Sequence, residues 1–408
     1  MHMKKLKSNL AAQIFIALVL AIIVGLLFGK NPDFANNYIK PFGTIFLNLL
    51  KFIVCPIVLF SILCGMISMK DIKKVGSIGA KTIVYYLLTT AVAILIGLVM
   101  GQIFKGVFPV LSTSELTYEA KEATPFMQVL VDIFPSNWLA PLANANMLQI
   151  IVIAIFVGFG IILVGDKADK IRVAVEQINE VFMKVMELIL KLSPVGVFCL
   201  LTPVVAANGA MIVGSLAMVL LVAYISYALH AIIFYSTPVK TMGGLSPLQF
   251  FKGMSPAMIF AFSSASSVGT LPLTLECSEK LGADKEVASF VLPLGATINM
   301  DGTAIYQGVC AIFIASCFGI DLTLGQMATI VLTATLASIG TAGVPGAGMV
   351  MLAMVLQSVG LPVEGIALVA GVDRIFDMGR TVLNITGDAS CAVIVSNLER
   401  KKELKKAK

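Results

Sequence analysis

Charge is what this sequence has least of. Asp, Glu, Lys and Arg make up 13% of its 408 residues, against about a quarter in soluble domains, so an ordinary water-soluble globular fold is excluded. Histidine occurs twice and tryptophan once. The seven cysteines (Cys55, Cys64, Cys199, Cys277, Cys310, Cys317 and Cys391) are scattered and odd in number, with no C-x-x-C pair. That spacing argues against a disulfide framework and against a thiolate metal site. The glycine-rich run 340–348 is followed by no Lys-Ser or Lys-Thr and does not read as a phosphate loop. The short alternating segments of a β-barrel are missing too.

What remains is apolar. Hydrophobic residues make up 58% of the chain and mean hydropathy is +0.96. Apolar stretches such as 10–28, 83–104 and 211–235 approach or exceed the roughly 20 residues that span a bilayer core. The fold class expected is therefore an all-α polytopic membrane protein. The first stretch has a longer apolar core than a signal peptide and no clear small-residue cleavage site, and reads as the first transmembrane helix.

Most basic residues fall in particular loops. Lys4, Lys5 and Lys7 precede the first helix, Lys70, Lys73, Lys74 and Lys81 lie between the second and third, and Lys167, Lys170 and Arg172 follow the fourth. The tail 399–408 is strongly basic, whereas the loop holding Glu115, Glu119, Lys121 and Glu122 is acidic on balance. This alternation fits the positive-inside rule with both termini cytoplasmic. It gives the net charge of +6 a topological meaning, and no nucleic-acid partner is expected.

Helices are expected near 9–29, 42–68, 82–108, a broken stretch 127–165, 172–206 and 211–236. Beyond about residue 250 the apolar segments are interrupted. Ser263–Pro272 and Ala337–Gly348 are runs of small and polar residues with helix-breaking Gly and Pro. Non-helical backbone at membrane depth survives only where protein or a water-filled cavity satisfies it, which predicts two re-entrant hairpins. Each is followed by a helix carrying Asn and Asp, first Asn299-Met-Asp301 and then Asn384 with Asp388. Interrupted segments at corresponding places in two halves point to a transporter's binding site.

The last apolar helix, near 365–395, carries Asp373, Arg374, Asp377, Arg380, Thr381, Asn384 and Asp388. Positions 373, 377, 380, 381, 384 and 388 fall within an arc of about 100° on a helical wheel. A polar stripe on an apolar helix must face a protein interior or a cavity. An amino acid needs an anion for its ammonium group and donors for its carboxylates, and a guanidinium fork matches a side-chain carboxylate. Asp377 and Arg380 supply the anion and the cation, while Thr381 and Asn384 supply neutral groups. Asp301, Asp388 and Asn299 are hard oxygen ligands suited to a small monovalent cation. His230 has no acidic neighbour in its own segment and reads as a packing residue.

The segments 299–303, 340–348 and 377–388 resemble the glutamate transporter family, the dicarboxylate/amino acid:cation symporters. The stretches 294–299, 85–90 and 135–144 resemble it as well, so the likeness covers essentially the whole chain. It implies eight transmembrane helices, two re-entrant helical hairpins with inverted repeats, and a homotrimer in the cell (inner) membrane. It also implies a scaffold formed by 1–80 and 111–208. A transport domain formed by 81–110 and 209–398 would move as an elevator, and 399–408 would be a basic cytoplasmic tail.

By the same resemblance, Asp377 takes the substrate amino group, Arg380 its side-chain carboxylate and Asn384 its α-carboxylate. Thr303, Ser266, Ser267, Val344 and Gly348 close around it. Sodium, the implied coupling ion, would have one site at Gly295, Asn299, Asn384 and Asp388. A second would lie at Thr297, Ser338, Ile339 and Thr341, and a third at Tyr86, Thr89, Thr90, Asn299 and Asp301. Some relatives carry an arginine where Ala265 or Met378 stands, and many a serine where Val268 stands. Arg374, one turn before Met378, is spaced to neutralise the same cluster.

Rival readings are a carrier of cystine, neutral amino acids or C4-dicarboxylates, an ion channel, and a membrane-embedded enzyme. Arg380 argues against neutral substrates and Asp377 against dicarboxylates. No repeated pore loop supports a channel. The bilayer segments offer no nucleophile–base pair or histidine-rich metal set for an enzyme.

Overall fold

The computed structural model describes residues 10–68, 77–110, 131, 134–144, 146–209, 211–338 and 347–406. Among them every regular element is helical, as expected of a chain whose backbone groups must be satisfied without water. The first half holds α1 (Leu10–Leu27), α2 (Lys40–Ser68), α3 (Ser77–Phe104), α4 (Met147–Val164), α5 (Asp169–Leu190) and α6 (Ser193–Asn208). The second holds α7 (Met211–His230), α8 (Pro247–Ser264), α9 (Ser267–Lys280), α10 (Lys285–Ile298), α11 (Asp301–Cys317), α12 (Leu324–Ala337), α13 (Ala347–Ser358) and α14 (Asp373–Lys406). Among the described residues four continuous helical stretches are long and apolar enough to cross a membrane, namely Ser77–Val107, Gln149–Ile189, Gly214–Gly243 and Lys285–Cys317. The protein is an all-α, multi-pass membrane protein.

Breaks fall where backbone chemistry demands them. The single helix expected over 172–206 is two, because Pro194 stands in the first turn of α6. A proline lacks an N–H and clashes with the carbonyl four residues back, so it opens a helix better than it continues one. Gly165 and Gly209, at φ +71° and +66°, end α4 and α6 in a conformation that favours glycine. After His230 the helix widens into a π-turn, Ala231–Tyr235.

α1 packs on α6, and α2 packs on α4, α5 and α6. α3 lies along α11 and α12, while α8, α10 and α11 pack against α14. One apolar cluster runs through α1–α7 and α11–α13. A second joins Tyr86 to α8–α10 and the middle of α14. Between residues 373 and 396 α14 is buried almost throughout, which explains why its charges require partners inside the protein.

At the start of the tail, Glu399 accepts a hydrogen bond from Ser77 Oγ at 2.8 Å and another from Lys81 Nζ. The Lys81 contact holds its carboxyl below the usual glutamate range. A carboxyl lowered on folding contributes stability above its unfolded value, about 4.3, and loses that contribution as pH falls through the folded one. The pair is partly solvated, so Glu399→Gln should lower stability by less than about 1 kcal/mol at neutral pH. The difference should shrink as pH falls below about 4, as followed by thermal unfolding in detergent.

Candidate functional site

Two interruptions and one helix build the site. α8 and α9 form a helical hairpin whose turn places Ala265 in the left-handed region (φ 51°, ψ 43°) and Ser266 as the cap of α9, its Oγ accepting from Gly269 N–H at 3.0 Å. α10 ends at Ile298 and α11 starts at Asp301, with Asn299 extended between them. Facing helix ends expose unpaired carbonyls and N–H groups inside the protein, which suits ion and polar-ligand binding.

Arg380 is the largest fully buried side chain among the described residues. Its Nε donates to Asp377 Oδ1 at 2.8 Å, and Nη1 and Nη2 donate to Asp373 Oδ1 and Oδ2 at 3.1 and 3.3 Å. The guanidinium also lies 4.7 Å from the centre of the Tyr306 ring, within cation–π range. Arg374 donates from Nη2 to the Ser264 carbonyl of the hairpin at 3.2 Å, and its Nη1 is 3.9 Å from Asp377 Oδ2. Arg374 thus lies beside the Asp377–Arg380 cluster, where its spacing predicts it. A Cβ at Gly348 would collide with the Arg380 guanidinium, so a side chain on α13 there would have to displace it.

Asn384 ties α14 to the interruption. Its Oδ1 accepts from Gly302 N–H at 2.7 Å and its carbonyl from Asn299 Nδ2 at 3.0 Å. Thr303 and Thr381 are buried alongside. Ser267 is buried and Ser266 half-buried at the hairpin turn. Val344 lies outside the described residues.

The first expected cation set comes together. Asn299 Nδ2 donates to Asp388 Oδ1 at 2.8 Å, and a Cβ at Gly295 would strike Asp388 and Tyr86 Oη. In the third set Thr90 Oγ1 donates to Asp301 Oδ1 at 2.7 Å, with Thr89 beside it and Tyr86 one turn earlier on α3, both buried. The buried Asn299 Oδ1, common to both sets, has no hydrogen-bond partner. A buried amide oxygen left unpaired, on a residue that donates to Asp388 and stands two positions before Asp301, two buried carboxylates that no Lys or Arg reaches among the described residues, is what a desolvated cation needs. In the second set Thr297 and Ser338 bond within their own helices, to Leu294 and Thr335 carbonyls. Ile339 and Thr341 lie outside the described residues.

Sequence comparison decides the family: the profile of the sodium:dicarboxylate symporter family matches residues 10–398. The chain belongs to the sodium:dicarboxylate symporter family. Within this family it is 36% identical over 406 residues to the proton/sodium-glutamate symport protein of Bacillus subtilis (strain 168), covering 97% of this chain and 94% of that one. It is 36% identical over 421 residues to the proton/glutamate-aspartate symporter of Escherichia coli (strain K12), covering 99% and 96%. The C4-dicarboxylate transport protein of Bacillus subtilis (strain 168) is 31% identical over 403 residues, covering 97% and 94%.

This symporter holds residues in its site that sequence reasoning passed over. Asp373 stood in the polar stripe, but its pairing with Arg380 depends on a side chain folding back two helical turns. Tyr306 gave no signal. His230 is buried as expected of a packing residue, yet its Nε2 lies 3.2 Å from Asp301 Oδ2. The acidic neighbour missing from its own segment is supplied by α11.

Proposed function

We propose that the protein is a sodium-coupled symporter of acidic amino acids, aspartate or glutamate, and a carrier rather than an enzyme. The observation that carries this reading is Asp377 and Arg380 side by side in a buried site, with Asn384 one turn further along α14. Asp377 receives the ammonium group, Arg380 the side-chain carboxylate and Asn384 the α-carboxylate. The glutamate and aspartate symporters among its relatives support that substrate class.

Sodium binds among oxygens at the three sets named above, of which the unpaired Asn299 Oδ1 is the clearest ligand. The packing of α3 along α11 and α12 supports grouping 81–110 with 209–398 as a transport domain. This domain moves against a scaffold (1–80 and 111–208) in an elevator-type cycle. The helices sit in the cell (inner) membrane as a homotrimer with both termini cytoplasmic, and α8–α9 and α12–α13 form re-entrant hairpins.

The test is uptake of radiolabelled aspartate by reconstituted protein in liposomes. Uptake should require an inward sodium gradient and survive proton uncouplers. Uptake driven equally well by a proton gradient without sodium would remove the cation sites. A C4-dicarboxylate carrier is the second reading, favoured by the relative of that name. Succinate competing better than aspartate would select it, because Asp377 would then lack its ammonium partner.

A further inference from the structure

Asp301 is held from behind. Its Oδ1 accepts from Thr90, while its Oδ2 accepts from Tyr235 Oη at 2.7 Å and faces His230 Nε2 at 3.2 Å. Asp301, Tyr235 and His230 are all fully buried. Tyr235 Oη also lies 3.3 Å from the Leu383 carbonyl of α14, so the π-turn after α7 sits against both α11 and α14. His230 Nδ1 is buried without a partner. Nε2 therefore carries the proton and donates it to Asp301, since a carboxylate only accepts.

The local backbone brings the two donors to one oxygen. Five residues apart on a regular α-helix, they would point about 140° away from each other. The π-turn Ala231–Tyr235 follows His230 directly, and its wider turn lays the Tyr235 ring edge-on to His230 with centroids 4.8 Å apart. Such single π-turns sit frequently at functional sites. Gly387 of α14 completes the fit, because a Cβ there would come within 2.5 Å of Tyr235 Oη and 2.6 Å of Asn299 Nδ2.

We propose that Tyr235 and His230 are positioning residues for the third cation site. They occupy Asp301 Oδ2 so that Oδ1, with Thr90 and Asn299, is turned toward sodium. Neither touches the ion. This inference rests on the sodium-coupled reading above. A donor pair on one oxygen of a carboxylate fixes its plane, as outer partners do for metal ligands generally. Loss of one donor lets the carboxylate rotate and weakens the ion-binding geometry without altering the substrate-binding side chains of α14.

The experiment is a sodium titration of purified protein followed by thermal unfolding without substrate, paired with aspartate half-saturation measured at saturating sodium. Tyr235→Phe keeps the ring and removes only the donor. The sodium concentration giving half the stabilisation should rise about tenfold, and aspartate half-saturation should move less than twofold. The preference for sodium over lithium should narrow. His230→Leu should shift sodium in the same direction, and His230→Gln, which keeps a donor, should recover most of the loss.

Should Tyr235→Phe not fold, the two His230 variants decide the matter between them. Sodium curves within twofold of wild type in Tyr235→Phe and His230→Leu would overturn the inference alone. So would equal shifts for sodium and aspartate, which signify general loosening. Wild-type protein that sodium does not stabilise would overturn the cation reading, and this inference with it.

Discussion

Arg380→Ala should reduce sodium-driven aspartate uptake at least a hundredfold, approaching background. Two effects act together. A guanidinium fork on a ligand carboxylate is a charge-assisted pair, and losing hydrogen bonds to charged groups costs about 1.5–3 kcal/mol each. The residue is also 2% exposed and holds Asp377 and both oxygens of Asp373. Its removal takes the guanidinium away from Asp373 and Asp377, and deleting one partner of a buried pair costs about 3–5 kcal/mol.

The two effects separate in Arg380→Lys, which keeps the charge but lacks the planar fork. Thermal unfolding should recover more in Arg380→Lys than uptake does. Arg380→Ala protein that folds and still carries aspartate within tenfold of wild type would detach Arg380 from the substrate carboxylate. Uptake of serine or alanine gained in the same variant would strengthen the assignment.

The sequence made the broad outline readable because the membrane allows few solutions. Scarce charge and apolar stretches of spanning length left helices as the reading, and the polar stripe on α14 followed from helical periodicity alone. The same periodicity could say that 373, 377 and 380 share a face, but not that Arg380 folds back toward Asp373 while also reaching Asp377. That choice depends on Tyr306 and Gly348, which approach from α11 and α13. His230 shows the limit most plainly. Its partner lies 71 residues away, and the contact exists because α7 packs on α11 and then widens into a π-turn. The break before α6, by contrast, was written locally in Ser193-Pro194. Proline chemistry alone would have divided the expected 172–206 helix there.

The second large effect concerns backbone. Gly302→Ala should destabilise the protein by about 3 kcal/mol or more, at or above the upper end for overpacked interiors, and abolish transport. A Cβ at Gly302 would fall on the main chain of Arg380, 2.5 Å from its Cα and 2.8 Å from its carbonyl carbon. A side chain could swing aside, but α14 can only move as a helix. The Gly302 N–H also donates to Asn384 Oδ1 at 2.7 Å, so separating the helices would break the link between Asn384 and the interruption. Asp301 precedes Gly302 and Thr303 follows it, which places a proposed sodium ligand and a proposed substrate contact on the displaced turn. Gly160→Ala is the control. Gly160 lies inside α4, with nothing within 4 Å of the added methyl. Alanine there should stabilise the helix by up to about 1 kcal/mol. Thermal unfolding of both variants in detergent, with uptake from liposomes, makes the comparison. Equal melting of Gly302→Ala and wild type would mean that α11 and α14 stand further apart in the membrane than 2.7 Å hydrogen bonding allows. The substrate and cation sets could then not share Asn384 as described.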